Sequence, residues 1–191
     1  MKQFIAASEV KLAPHGKTAM APRLFDRQLQ AGSWGITLAT AHQILVAYTR
    51  GVRRALMVNQ LIGKENIPII GHLVCDPAFE YYCLVDSATQ IDQLGELYSK
   101  RVQRLRLLPK LGVAGGRVGV RNETQLQPVL ATLSRWLDSI ALHGIDIYEG
   151  VLDSEVSIRA FLQYAAVVTR RLAADKRFDR DPILLSGAGS V

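Results

Sequence analysis

Lys17, in the run Leu12-Ala13-Pro14-His15-Gly16-Lys17-Thr18, is the side chain whose neighbours best suit it to covalent chemistry. A neutral lysine amine attacks a carbonyl carbon to form a Schiff base, and partial withdrawal from water lowers its pKa toward that form. His15 stands two residues earlier, so extended backbone sends both side chains to one face. Thr18 and Met20 follow on the same rim. Arg117 sits in the glycine-dense run Gly112-Val113-Ala114-Gly115-Gly116-Arg117-Val118-Gly119, where glycine permits the close approaches that a ligand-wrapping loop requires. Ser186-Gly187-Ala188-Gly189-Ser190 follows an apolar stretch, and backbone of that kind can turn several N–H groups toward one anion. Tyr148-Glu149-Gly150 ends another apolar stretch. Each group also has a plainer reading: a solvated lysine, a hydrogen-bonded histidine, a surface arginine pair, an ordinary turn and a strand-end cap.

Placing these groups requires strands that end where helices begin. Strands are predicted near 11–14, 35–39, 55–59, 80–86, 105–111, 142–148 and 183–186. Helices are predicted over 19–31, 41–51, 63–75, 88–101, 123–139 and 154–175. Ile91, Leu94, Leu97 and Tyr98, and then Leu126, Val129, Leu130, Leu133 and Leu137, each form one apolar face. Asn122-Glu123 and Asp153-Ser154-Glu155 read as helix starts. Seven alternations without a break in composition predict an α/β protein of (β/α)8 barrel type; a doubly wound open sheet is the alternative. In such folds the carboxyl ends of strands carry the chemistry, and Lys17, Gln60, Asp86-Ser87, Arg117, Tyr148 and Ser186 all fall there. Pro109 lies inside the strand before Arg117, where it costs a ladder hydrogen bond. Arg121 reads as structural.

The 191 residues fit one domain with a sizeable core, 49% hydrophobic and only 7% aromatic. The net charge of +6 is scattered over helix faces without interleaved aromatics, which argues against nucleic acid as a partner. Cys75 and Cys83 make no disulfide framework. No stretch is long enough to span a bilayer, and no signal peptide is evident, so the expectation is a cytoplasmic protein. His42, His72 and His143 stand alone, and no cluster has metal-ligand spacing.

Pro14-His15-Gly16-Lys17-Thr18, Met20-Ala21-Pro22 and Gln28-Leu29-Gln30-Ala31-Gly32-Ser33-Trp34-Gly35-Ile36-Thr37 resemble the opening of the alanine-racemase-like (fold type III) pyridoxal-phosphate enzymes. The branch of D-amino-acid deaminases, D-serine dehydratases and D-threonine aldolases is the most similar. Val58–Gly63, Tyr82–Ser87, Gly115–Arg121, Tyr148–Gly150 and Leu185–Ser190 follow in the same order. The resemblance implies pyridoxal 5'-phosphate as cofactor and Lys17 as its Schiff-base lysine and the catalytic base. It implies cofactor contacts at His15, Arg117 (the ring oxygen), Tyr148, and Ser186, Gly187, Gly189 and Ser190 (the phosphate). It implies a small-molecule D-amino acid substrate and, in full-length relatives, a homodimer. Residues 1–191 then read as a partial N-terminal barrel domain of about seven strands, without the C-terminal β-domain that carries the branch's metal ligands. The implied activity is that of a lyase or deaminase. The alternatives are a non-catalytic pyridoxal-phosphate-binding protein, an inactive fragment, or an amino-acid racemase.

Overall fold

A computed structural model describes residues 2–100 and 104–187, so Gly189 and Ser190 lie outside the described residues. The elements run α1 (Lys2–Ala7), α2 (Pro22–Gln30), β1 (Ile36–Leu38), α3 (Ala41–Thr49), β2 (Arg54–Gln60), α4 (Asn66–Leu73), β3 (Glu80–Val85), α5 (Ala88–Tyr98), β4 (Leu105–Pro109), α6 (Glu123–Leu133), β5 (Ile140–Leu142), β6 (Gly144–Asp146), α7 (Glu155–Ala174) and β7 (Leu184–Ser186). The chain forms two compact units that divide between Cys83 and Leu84, within β3.

In the first unit the strands lie in the order β1-β2-β3, with β1 and β2 parallel from Ile36↔Ala55 to Leu38↔Met57. Phe25, Ile36, Leu38, Ile44, Met57 and Tyr81 form its apolar interior. Burial also pushes the Cys83 thiol up to about 12, so it packs as an apolar residue. Thr40 starts α3 by accepting a hydrogen bond from Gln43 N at 3.2 Å, a cap that stabilises a helix by about 1 kcal/mol.

In the second unit the order is β3-β4-β5, and β6 pairs with β7. Leu105, Leu107, Leu111, Leu126, Val129 and Ile145 are buried there. Ser87, Asn122 and Ser154 cap α5, α6 and α7 with their side-chain oxygens. Gly95 lets the indole of Trp136 lie against α5, and the Trp136 Nε1–H donates to Asp92 at 2.8 Å.

Three expectations need correcting. Residues 11–14 do not form a strand: they contribute Leu12 O and Pro14 O as acceptors for Trp34 N and Thr37 N, and pairing reduces to one bridge, His15↔Thr37. The strand expected at 142–148 begins at Ile140 and is divided at His143 into β5 and β6. Pro109 closes β4 as its last residue, so the strand ends where the ladder donor is missing. Lys110 N then resumes with a hydrogen bond to Val85 O at 2.8 Å. The predicted helices stand, each trimmed at its C-terminal end, and α2, α4 and α7 at both ends.

The division at His143 is a one-residue bulge. Leu107 faces Leu142, but Lys110 faces Asp146, so the β5–β6 run carries one residue more than β4 over the same span. His143 N donates to Leu107 O, and His143 O accepts from Leu184 N, so the bulged residue still serves both neighbours. Gly144 follows because no side chain fits: a Cβ there would lie 1.9 Å from Leu184 O. Among the described residues no helix is long and apolar enough to cross a membrane.

Candidate functional site

In the first unit the Lys17 turn is fastened to β1 and to the first turn of α3. Gly16 N donates to Thr37 O at 2.8 Å, and Thr37 N and Oγ1 return hydrogen bonds to Pro14 O and Ala13 O. Gln43 reaches from the first turn of α3, donating to Lys17 O at 3.0 Å and accepting from Ala39 N at 2.8 Å. Asn59, near the end of β2, donates to Ala39 O at 2.8 Å. Gly16 is buried, with a virtual Cβ 2.5 Å from the Phe25 ring, while His15 and Lys17 on either side are exposed. Lys17 is not withdrawn from water, contrary to expectation. Its amine makes no ion pair among the described residues and stands open to an incoming carbonyl.

Gln43 and Asn59 escaped the sequence reading. For Gln43 a signal existed: Thr40-Ala41-His42-Gln43 has the spacing of a capping box, in which the fourth residue reaches back toward the chain before the helix.

In the second unit Asp86, just past β3, accepts a hydrogen bond from Gly119 N at 2.8 Å and pins the glycine loop. Gly119 has φ 98° and lies so close to Gly112 that a Cβ would fall 2.7 Å from Gly112 N. Arg121 is structural as expected, binding Val113 O at 3.1 Å and Gly116 O at 2.6 Å. Arg117 is exposed, pairs with no carboxylate among the described residues, and borders an open cleft of about 470 Å³ with Asp86, Ser87, Arg121, Thr124 and Gln125.

The bulge builds a second constellation that the sequence did not reveal. Asp146 faces Lys110 on one side and, through the β6–β7 register, Ser186 on the other. Lys110 Nζ lies 2.6 Å from Asp146 Oδ2, and Ser186 Oγ–H donates to Asp146 Oδ1 at 2.7 Å. Lys110 is 6% exposed and Asp146 3%. Burial pushes the Asp146 carboxyl up from its ordinary value, while Lys110 and the Ser186 hydroxyl pull it back. Lys110 Nζ also lies 5.7 Å from the Tyr148 ring centroid, a cation–π contact with a side chain that remains 39% exposed. Glu149 carries a buried Oε2 with no hydrogen-bond partner among the described residues. A Cβ at Gly187 would lie 3.9 Å from that oxygen.

His143 is the most perturbed imidazole: burial, with Arg106 and Arg180 nearby, pushes its pKa down to about 4. It sits at the bulge rather than at a strand's carboxyl end. Among the described residues no group of three or more His, Cys, Asp or Glu could hold a metal ion.

Three solved structures illustrate what the chain is similar to. D-threonine aldolase from Filomicrobium marinum superposes with a TM-score of 0.77 at 21% identity, over 91% of this chain and 47% of that one. D-threo-3-hydroxyaspartate dehydratase from Delftia sp. HT23 gives 0.77 at 20%, over 98% and 55%. Alanine racemase from Bacillus anthracis gives 0.70 at 16%, over 98% and 48%. The chain thus spans about half the length of these chains. No protein-family model matches the sequence, and no curated protein does. At these identities the likeness shows the fold, the α/β arrangement of the alanine-racemase-type barrel, of which seven strands are present among the described residues.

Proposed function

We propose that this chain is the barrel portion of a pyridoxal-phosphate enzyme of the alanine-racemase-like group, acting as a lyase or deaminase on D-amino acids with a β-hydroxyl. The observation that carries the reading is Lys17: an exposed amine without an ion pair, on a turn clamped by Gln43 at the carboxyl ends of strands, in a fold shared with an aldolase and a dehydratase.

The donor chemistry fits the cofactor. An open amine, an uncommitted guanidinium at Arg117 and an orphaned carboxylate oxygen on Glu149 are groups suited to its aldehyde, its phenolic oxygen and its ring nitrogen. Lys17 would hold it through Nζ, with His15 beside it on the same face. Tyr148 would pack against it, and the backbone from Ser186 through Gly187, Gly189 and Ser190 would receive its phosphate. When bound, it supplies an electron sink for charge developing at the substrate α-carbon. The chain's own residues do the rest. Lys17 Nζ would take the proton from the substrate α-carbon. Arg117 holds developing negative charge on oxygen. Loss of the β-hydroxyl as water, followed by hydrolysis, would give a keto acid and ammonia; cleavage of the Cα–Cβ bond instead, with the β-hydroxyl giving up its proton and the α-carbon gaining one, would give glycine and an aldehyde. The proposal extends to a cytoplasmic homodimer, a setting that suits the two free cysteines, Cys75 and Cys83.

The test is a visible absorption titration with pyridoxal 5'-phosphate, with borohydride trapping and peptide mapping, on the native chain and on Lys17→Ala. A saturable band trapped on Lys17 and lost in the variant supports the reading. A cooperatively melting protein that gives no band, or a band indifferent to Lys17→Ala, overturns it.

A further inference from the structure

Lys110, Asp146 and Ser186 are joined side chain to side chain in the second unit, and no step above uses the first two. Lys110, just past β4, lies in a row with Asp146 on β6 and Ser186 on β7, aligned only because the bulge at His143 shifts the register by one residue. Each oxygen of the Asp146 carboxylate has its own donor: Lys110 Nζ at 2.6 Å on Oδ2 and Ser186 Oγ at 2.7 Å on Oδ1. Ser186 is thereby spent. With its proton on Asp146, the hydroxyl can offer an approaching phosphate only lone pairs, which repel it. Gly187 differs: it is exposed, and its N–H has no acceptor among the described residues. Its position is fixed from below, since a Cβ would come 3.1 Å from Ile147 Cγ1, and Ile147 N donates to Ser186 O at 2.9 Å.

A buried ion pair is poor value as a stabiliser, because desolvating both charges offsets most of their attraction. It is well suited to fixing geometry, since Asp146 must stay where two donors meet it. We propose that Asp146, held by Lys110, is a positioning residue that tethers Ser186 and so sets the end of β7 to receive a phosphate monoester through the Gly187 backbone N–H, not through the Ser186 hydroxyl. This rests on the reading of the protein as a pyridoxal-phosphate binder and names the part of it that recognises the phosphate.

The experiment compares the affinities of pyridoxal 5'-phosphate and pyridoxal, which differ only in the phosphate, by fluorescence titration of the whole chain. The variants are Asp146→Asn, which keeps shape and loses charge, Ser186→Ala, and the two combined. Thermal melting is followed on each. A tether predicts that Asp146→Asn narrows the ratio of the two affinities on the order of tenfold, as outer partners of a binding group commonly do, with pyridoxal itself little changed. Ser186→Ala should narrow it to the same extent, and the double variant no further, because both cut one tether. If Asp146→Asn does not melt cooperatively, Lys110→Arg, which keeps the charge and moves the donor, is read instead, with narrowing of a few-fold expected. A ratio unmoved or widened in Asp146→Asn while Ser186→Ala collapses it means the hydroxyl binds phosphate directly, and overturns the inference alone. Failure of the unaltered, folded chain to bind either compound overturns the functional reading and this inference with it.

Discussion

Lys110→Met removes one half of the buried pair while leaving a side chain of similar length, and its cost follows from the geometry. At 2.6 Å and an effective dielectric near 20, the attraction lost is about 6 kcal/mol. The methionine gains apolar contact and Asp146 can take up a proton, so the net loss expected at pH 7 is about 3–5 kcal/mol. That is a large share of a total stability of about 5–15 kcal/mol. The loss should also depend on pH, with a definite sign. Burial raises the Asp146 carboxyl above its unfolded value of 3.8, and Lys110 is the largest influence pulling it back. A raised carboxyl binds its proton more tightly when folded. Its stabilising contribution is therefore complete below 3.8 and is lost as pH climbs through the raised folded value. Without Lys110 the folded value rises further, so the variant should lose stability with increasing pH over a wider range than the native chain. Urea unfolding followed by circular dichroism between pH 5 and 8 measures both. The double change Lys110→Met with Asp146→Leu should recover most of the loss, because no uncompensated charge remains. A cost below about 1 kcal/mol at pH 7, or one that does not shrink toward acid, would refute the claim that this pair is buried and mutually dependent.

Three further outcomes follow from particular contacts. Gly144→Ala places a Cβ 1.9 Å from Leu184 O, a backbone atom that cannot swing aside. The β6–β7 pairing should part at a cost of about 3 kcal/mol, read as faster proteolysis around residue 184. His143, pushed down to about 4, is neutral when folded but takes a proton in the unfolded chain near 6.5. A depressed value of this kind contributes stability above 6.5 that is lost as pH falls through 4. A shift of that size is about 3 kcal/mol at full expression, and partial solvent exposure reduces it to about 1–2 kcal/mol. His143→Gln should flatten the acid limb of the stability profile; an unchanged limb would place the perturbation elsewhere. Gly16→Ala drives a methyl into the Phe25 ring, 2.5 Å away. It should slow reductive trapping of aldehydes at Lys17 relative to other lysines in the same digest, and equal labelling would show that the turn does not set the amine's place.

What the sequence revealed and what it hid divide along the range of the interactions. Helix caps at Asn122 and Ser154 act over three residues, and apolar faces repeat over one or two turns. Both can be read from a short window, and with them the alternation that makes the chain α/β. Lys17 and Arg117 stand out as candidates for the same reason, through the glycines and prolines beside them. The state of Lys17 was not legible, because exposure depends on what Gly16 leans against, and Phe25 lies nine residues away. The Lys110–Asp146–Ser186 row was hidden more deeply. A strand pattern of period two carries no mark of one inserted residue, and the bulge at His143 shows only when the partners on both sides are known. Without the bulge, Lys110 would face the residue before Asp146, Ile145, and an apolar side chain would oppose a buried ammonium. The glycine at 144 is the one trace left in the sequence. It is required not by a turn but by the backbone of β7 pressing against the bulged strand, a contact made with a residue forty positions later.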